Sequence, residues 1–384
     1  MRRVTWEATL VALALGGSGC SNLLGLDPPV LVGADANQTG SDAPRVDVPT
    51  CTSFSTQFDT CALDFSAATD LDVPGAGSYD TDSHLLVIGA LGSMPPHMVV
   101  TGPAGPIEVV IASAFHCESG ATFTVTGSVP LAIAASGAIQ VDGVIDVEAG
   151  ARSAVACGQQ AGQPGTNDNL GGGGAGGGGY QAAGGHGGVG DNNMSAGGAG
   201  GVTTSVPAGL LGGCPGGAGG NSSVTGAAGG AGGGAIDLAS ATIYTQIGSI
   251  QAGAAGGLGG QVAAAGGGGG GSGGMVLIEA RTVTISGMVA ANGGGGGGGG
   301  GNTTPGNPGQ AAHFGTSPAL GGTTASGGNG GNGGTAVSPA GDPAMGTTAR
   351  GGGGGGGIGW FGIAGTQDTT GATFSPAPIA WPPS

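Results

Sequence analysis

The sequence contains no lysine. Its six basic residues are all arginine, at Arg2, Arg3, Arg45, Arg152, Arg281 and Arg350, against 22 acidic residues, for a net charge of −16. A chain this acidic, with its arginines scattered, has no basic patch to follow a phosphate backbone and is repelled by anionic lipid surfaces, which excludes nucleic-acid binding. The missing lysine also excludes a Walker-type phosphate loop. Charged residues make up only 7% and aromatics 4% of the chain, where ordinary globular proteins carry about 25% charged residues. Helical signals are absent as well: no stretch carries a convincing apolar stripe at the helical period. A Gly-x-Gly-x-x-Gly match therefore means little here, because a dinucleotide site needs a strand before it, a helix after it and an acidic residue in register. Gly270, Gly271, Ser272, Gly273 and Gly274 fit the spacing of a nucleophile elbow, yet no helix follows, so Ser272 is read as an accident of composition.

What the chain has instead is glycine, 98 residues of 384, and short apolar islands rich in Val, Ile and Thr. LAIAASGAIQVDGVIDVEAG (131–150), AIDLASATIYTQIGSIQAGAAGG (235–257) and MVLIEARTVTISGMVAANGG (275–294) share one plan. Each has an apolar strand, an alternating strand, a pivot glycine (Gly143, Gly248, Gly287), a third short strand and then glycines. In the third copy Val276, Ile278, Val283, Ile285 and Val289 alternate as inward-pointing strand residues do. A unit of about twenty residues with three short strands predicts one turn of a stacked coil, because no single turn buries its apolar side alone. The expected fold is all-β: a right-handed parallel β-helix with long glycine-rich excursions at about 158–233, 253–274 and 292–357. A weaker closing copy, IGWFGIAG followed by GATFSPAP, offers Trp360 and Phe361 as a cap on the stack. Two states are open to the excursions, unpacked coil or extended polyglycine II rods packed side by side. The scarcity of charge and a disulfide spanning the first excursion favour packing.

Residues 1–20, MRRVTWEATLVALALGGSGC, combine a basic start, an apolar stretch too short to span a membrane, and small residues leading to Cys20. The ending resembles a bacterial lipobox, which implies a signal peptide over 1–19, lipid modification of Cys20 and a membrane anchor rather than a span; Ser21 after the cysteine implies outer-membrane delivery. Residues 20–50, rich in Pro, Asp, Gly and Asn, read as a flexible tether, and 51–384 as the body. The sequons at Asn37, Asn221 and Asn302 carry no meaning in bacterial export. In an oxidising compartment Cys51–Cys61 would close a small loop at the entrance to the body, and Cys157–Cys214 would staple the ends of the first excursion, leaving Cys117 unpaired. Zinc is the competing use of cysteine, but no Cys-x-x-Cys or His-x-x-x-His spacing occurs.

FDTC (58–61), SYDTDSHLLVIGA (78–90), VPLAIAASGAIQVDGVIDV (129–147), LLGGCPGG (210–217), GGGGGGSGGMVLIEA (266–280), VAANGGGGG (289–297) and FSPAP (374–378) together resemble the glycine-rich secreted lipoproteins of myxobacterial type. The likeness covers the chain from about residue 51 to its end. The glycine triplets are also similar to those of PE-PGRS proteins, without that family's N-terminal helical pair. The resemblance implies a surface-exposed β-helical lipoprotein and supplies no catalytic residues.

Candidate chemistry is correspondingly thin. Lyases acting on acidic sugars on β-helices need Arg or Lys, for which only Arg152 and Arg281 lie within the strand repeats; each is expected to be a solvated corner residue. Glycosidases need paired carboxylates, and Asp142, Asp146, Glu148, Asp237 and Glu279 recur at similar places in successive copies, expected on an ordinary solvated face. Asp70, Asp72, Asp80 and Asp82 form Asp-x-Asp pairs and Asp191 follows GGVG, which makes Asp80, Asp82 and Asp191 candidate calcium ligands beside the plainer role of Asp in turns. The five histidines are scattered, and His116 beside Cys117 makes a poor metal pair. The expected function is a non-catalytic envelope or cell-surface lipoprotein with a structural or adhesive role, lacking a cofactor and binding a polysaccharide, matrix or surface partner. A polysaccharide-acting enzyme and an ice- or surface-binding protein are the alternatives, and a secreted form is the alternative location.

Overall fold

The computed structural model describes residues 51–147, 157–191, 194–345 and 350–382. The expected signal peptide, Cys20 and the tether lie outside the described residues, as do Glu148 and Arg152. The body from Cys51 onward forms one compact unit, and it is all-β, its helical content among the described residues confined to short 3-10 turns such as Thr60–Ala62 and Gly158–Gln160.

The first strands are β1 (Leu71–Val73), β2 (Ala76–Asp80), β3 (Leu85–Ile88), β4 (Leu91–Ser93), β5 (His97–Gly102) and β6 (Gly105–Ala112). Then come β7 (Phe115–Cys117), β8 (Thr122–Thr126), β9 (Leu131–Ala135), β10 (Ile139–Val141) and β11 (Val144–Asp146). After the first glycine excursion follow β12 (Ala235–Ser240), β13 (Ile243–Gln246), β14 (Ser249–Gln251), β15 (Met275–Ile285) and β16 (Met288–Ala290). The chain closes with β17 (Trp360–Asp368), β18 (Thr373–Ser375) and β19 (Ile379–Ala380).

Equivalent strands of successive repeats pair in parallel and in register. One ladder runs β1, β7, β10, β13 and the second half of β15. A second runs β2, β8, β11, β14, β16 and β18. A third runs β6, β9, β12, the first half of β15 and β17. The two sheets that result are mixed rather than wholly parallel. Around residues 76–112 the chain folds back on itself, so that β2–β3–β4 and β5–β6 pair antiparallel. Gly89, at φ +61, supplies the left-handed residue that the tight β3–β4 turn requires. HLLVIGA and HMVVTG, which look in sequence like the later repeats, are thus the hairpins that close the sheet edge.

The pivot glycines mark places where successive repeats approach closely. A Cβ on Gly248 would lie 1.9 Å from the carbonyl oxygen of Gly143, and one on Gly287 would lie 1.9 Å from that of Gly248. The same two carbonyls accept from Ser249 at 2.8 Å and Met288 at 3.0 Å. Any side chain there would separate the layers. Inside the ladders, Val276, Ile278, Val283, Ile285 and Val289 all join the core with Phe115, Phe123 and Leu131, as the alternation predicts. The opposite face of the third ladder is buried too, with Met275 and Leu277 packed against Phe58, Tyr180, Leu210 and Trp381. Burial on both faces explains why AIDLAS and MVLIEA are almost continuously apolar, each large aliphatic adding about 1.5–3 kcal/mol. Phe361 sits in the inner core against Phe374 and Trp360 on the outer face, so both belong to the last layer of strands rather than covering it.

The three excursions all leave between a second-ladder strand and the next third-ladder strand, and they are packed. Along 293–301, Gly293, Gly296 and Gly299 donate to Gly334, Gly331 and Gly328; Gly294 and Gly297 donate to Gly271 and Gly268; Gly295 and Gly298 donate to Gln310 and Asn307, all at 2.8–2.9 Å. Every third amide returns to the same neighbour, which is the pattern of a rod with three residues per turn and no internal hydrogen bonds. The carbonyls of this rod accept from three further directions, from Gly257 and Gly260, from Gly322, and from Gly353 and Gly356. Residues 171–180, 264–274, 292–301 and 351–359 are buried throughout. The remaining rods surround them.

Candidate functional site

Asp237 and Glu279 lie on the outward face of the third ladder, in the alternation of Ala235, Ala239, Met275 and Leu277. That face is not solvated as the sequence suggested, because residues 53–60 cross over it. Asp237 is fully buried and Glu279 nearly so. The strap carries the polar side chains that make this tolerable, since a buried charge must be hydrogen-bonded. Glu279 accepts from the Thr56 amide at 3.1 Å and from Thr56 Oγ1 at 2.6 Å, while Ser55 Oγ donates to Asp237 Oδ2 at 3.4 Å. Trp381 Nε1 donates to Thr56 Oγ1 at 2.7 Å, and Leu210 N donates to Gln57 Oε1 at 2.9 Å, so one short segment ties together the ladder, the chain end and the first excursion.

Burial and the adjacent Glu279 carboxylate push the Asp237 carboxyl well above the ordinary carboxylate range. Burial also raises Glu279, opposed by the donors of Thr56 and Ser55. Asp237 Oδ1 has no hydrogen-bond partner among the described groups. Both carboxyls of the pair are thus held above the ordinary carboxylate range, Asp237 the more strongly. Beside it lies a cleft of about 320 Å³ bordered by Thr52, Phe54, Thr56, Glu279 and Arg281. Arg281 is exposed, as expected.

The other acidic candidates do not join this site. Asp142 Oδ2 faces His116 Nε2 at 3.2 Å and accepts from Gln140 Nε2 at 2.5 Å; Asp146 lies on β11. Asp70 Oδ1 accepts from Ser113 Oγ at 2.6 Å, and Asp72 stands on β1 opposite His116. Asp80 Oδ1 accepts from the amides of Asp82 and Ser83, and Asp82 Oδ1 from Ser128 N and Oγ, both serving the turns between strands. Asp191 takes a positive φ of 39° in its own turn. Among the described residues the one group of three metal-ligating side chains is His84, His97 and Glu108. Their spacing in sequence follows no metal motif, because two hairpins bring them together.

Ser272 is fully buried, with Oγ accepting from the Cys214 amide at 2.7 Å, and it works as part of the rod packing. Cys51–Cys61 and Cys157–Cys214 are disulfides, and Cys117 is free and buried. No helix among the described residues is long and apolar enough to cross a membrane. No protein-family model, curated protein or solved structure matches this chain.

Proposed function

We propose that the chain is a non-catalytic lipoprotein of the bacterial envelope, anchored through Cys20 at the outer membrane or cell surface, whose body serves as a rigid structural or adhesive element. In this reading the ladders are the faces of a right-handed parallel β-helix and the excursions a polyglycine II lattice fused along one corner of it. The observation that carries it is where the polar chemistry goes: Asp237, Glu279 and Ser272 are buried and hold segments together. Part of the surface, by contrast, is built from rods with short side chains. Neighbouring rods 162–168, 213–221 and 226–233, joined by Gly162 to Pro215 and Gly219 to Ala227, expose Pro164, Pro215, Ala218 and Ala228. A flat, nearly uncharged face of this kind suits contact with an extended polysaccharide or matrix surface, where affinity comes from area and repetition.

The test is made on cells producing the full chain. Palmitate should label the wild type and not a Cys20→Ser variant, and the wild-type cells should retain matrix polysaccharide that the variant cells, which shed the protein, do not. Equal retention by both would overturn the adhesive role. A second reading, a polysaccharide-acting enzyme, draws on the buried Asp237–Glu279 carboxyl pair beside the Arg281 cleft. Turnover of a polysaccharide that disappears in Asp237→Asn or Asp142→Asn would replace the first reading with it. The flat rod face also fits an ice- or surface-binding role, which thermal hysteresis of the purified protein would reveal.

A further inference from the structure

Glu108 is the one buried carboxylate that the strap does not explain. It sits on β6 with its side chain fully buried, and only Oε1 is engaged, accepting from Tyr79 Oη at 2.6 Å and facing His84 Nδ1 at 3.0 Å. Oε2 has no hydrogen-bond partner among the described residues. A buried carboxylate oxygen without a donor is costly enough that folds seldom keep one without a use for it. The groups around it suggest the use. His97, on β5, stacks on His84 with ring centroids 4.6 Å apart and planes 17° from parallel. His97 Nδ1 lies 2.9 Å from the Pro95 carbonyl, so Nδ1 carries the hydrogen and Nε2 keeps its lone pair. That is the tautomer in which an imidazole binds a metal while its other nitrogen is held by the protein. His84 is held at φ +57, a left-handed backbone conformation that a non-glycine residue adopts at some cost and that clusters at functional sites.

We propose that His84, His97 and Glu108 bind a zinc-type divalent transition metal ion. One ligand atom from each residue lies within 4.8 Å of the others. Metal–ligand bonds of about 2.0–2.2 Å in a tetrahedron separate ligand atoms by roughly 3.3 Å. His84 Nδ1 lies 3.0 Å from Glu108 Oε1, so the imidazole already stands against the carboxylate whose Oε2 would take the ion. Two imidazoles and one carboxylate select zinc and its neighbours over calcium, which prefers a shell of oxygens. Tyr79 Oη, bonded to Oε1, orients the carboxylate from behind and leaves Oε2 for the ion. Both histidines are half-buried, so the cluster is reachable from solvent.

The location gives the ion a task. His84 leads into β3 of one sheet, whereas His97 and Glu108 stand on the β5–β6 hairpin of the other. An ion shared by the three would clasp the two antiparallel flaps at the same end of the body, where the parallel ladders would otherwise present open edges.

The full chain, stripped with chelator and dialysed, is titrated with zinc chloride by calorimetry and with cobalt chloride by visible absorption, in which tetrahedral coordination gives an intense band. One equivalent should bind with a dissociation constant in the micromolar range or tighter, and zinc should raise the melting temperature. His97→Gln, at a half-exposed edge position, should weaken binding by about 100-fold with an unchanged circular dichroism spectrum, and Glu108→Gln likewise. His116→Gln should leave binding untouched. Absence of a saturable site in the wild type, wild-type affinity in His97→Gln, or tighter binding of calcium than of zinc would each overturn the assignment.

Discussion

Replacing Gly296 with alanine puts the packing of the glycine rods to a direct test. Gly296 lies in the middle of a buried rod, its amide bonded to Gly331 and its carbonyl to Gly322, both at 2.8 Å. A Cβ on it would stand 2.0 Å from the carbonyl oxygen of Gly353, where real Cβ atoms essentially never come closer than 3.0 Å. One rod must therefore move by roughly 1 Å. Gly353 O also accepts from Gly331 at 2.9 Å, so the movement stretches that bond beyond use, and rods on every other side resist it. Overpacking of about 1–3 kcal/mol together with one or two lost buried hydrogen bonds at about 1 kcal/mol each gives a destabilisation of about 2–5 kcal/mol. Gly75→Ala is the matched control, because its Cβ would meet nothing within 4 Å and its φ is not positive. That change should stay within about 0.5 kcal/mol, or stabilise slightly by restricting the unfolded chain. Urea unfolding followed by far-ultraviolet circular dichroism measures both. If Gly296→Ala costs no more than Gly75→Ala, the rods are not a close-packed lattice.

Other outcomes follow from the same contacts. Since the folded Asp237 carboxyl is held above its unfolded value, the stability it carries is complete below about pH 4 and is lost as pH rises toward its folded value, at up to about 1.4 kcal/mol per pH unit. Asp237→Asn, which keeps a donor toward Glu279, should flatten that part of the profile above about pH 4; a wild-type minus variant difference that stays constant with pH would refute the raised Asp237 carboxyl. Cys157→Ala with Cys214→Ala opens a link of sequence separation 57 and should lower stability by about 4 kcal/mol on the chain-entropy model, against about 3 for Cys51–Cys61 with separation 10; denaturant midpoints under non-reducing conditions give the comparison. Burial pushes the Cys117 thiol up to about 11, so native protein should resist alkylation near pH 8 and react fully once unfolded. Rapid labelling of the native state would place that side chain outside the core.

The ladders were legible because their signals are local. Alternation in 275–289 marked the inward residues, and the pivot glycines announced the close approach of layers. The hairpins of 84–112 were not, since Val- and Ile-rich segments look alike whichever neighbour they pair with and only the pairing direction distinguishes them. The carboxyl pair was misjudged for a different reason: Asp237 and Glu279 alternate as solvent-facing residues should, and nothing near them in sequence reveals that residues 53–60, more than 170 positions away, will cover them. His84, His97 and Glu108 were missed because two turns, not a motif, bring them together. One further signal was available. Unbroken glycine, as in GGGGAGGGG and the run before Asn302, belongs to the buried rods, while Gly-Gly-x triplets belong to the outer ones. Ala196, Ala199 and Val202, and likewise Pro215, Ala218 and Asn221, are exposed at every third place.

A rod that repeats every three residues imposes a reading frame on its own sequence. Removing or adding three residues in an outer segment such as 195–202 shortens or lengthens the rod and leaves its outward column outward. Adding one turns everything beyond it by about 120° and drives the alanines and valine of that column into space that only hydrogen fits. Insertions and deletions within these segments are thereby sorted by their remainder on division by three, a rule that holds whatever residue the outward position carries. Through its outer rods the protein can vary its surface freely while its length stays quantised.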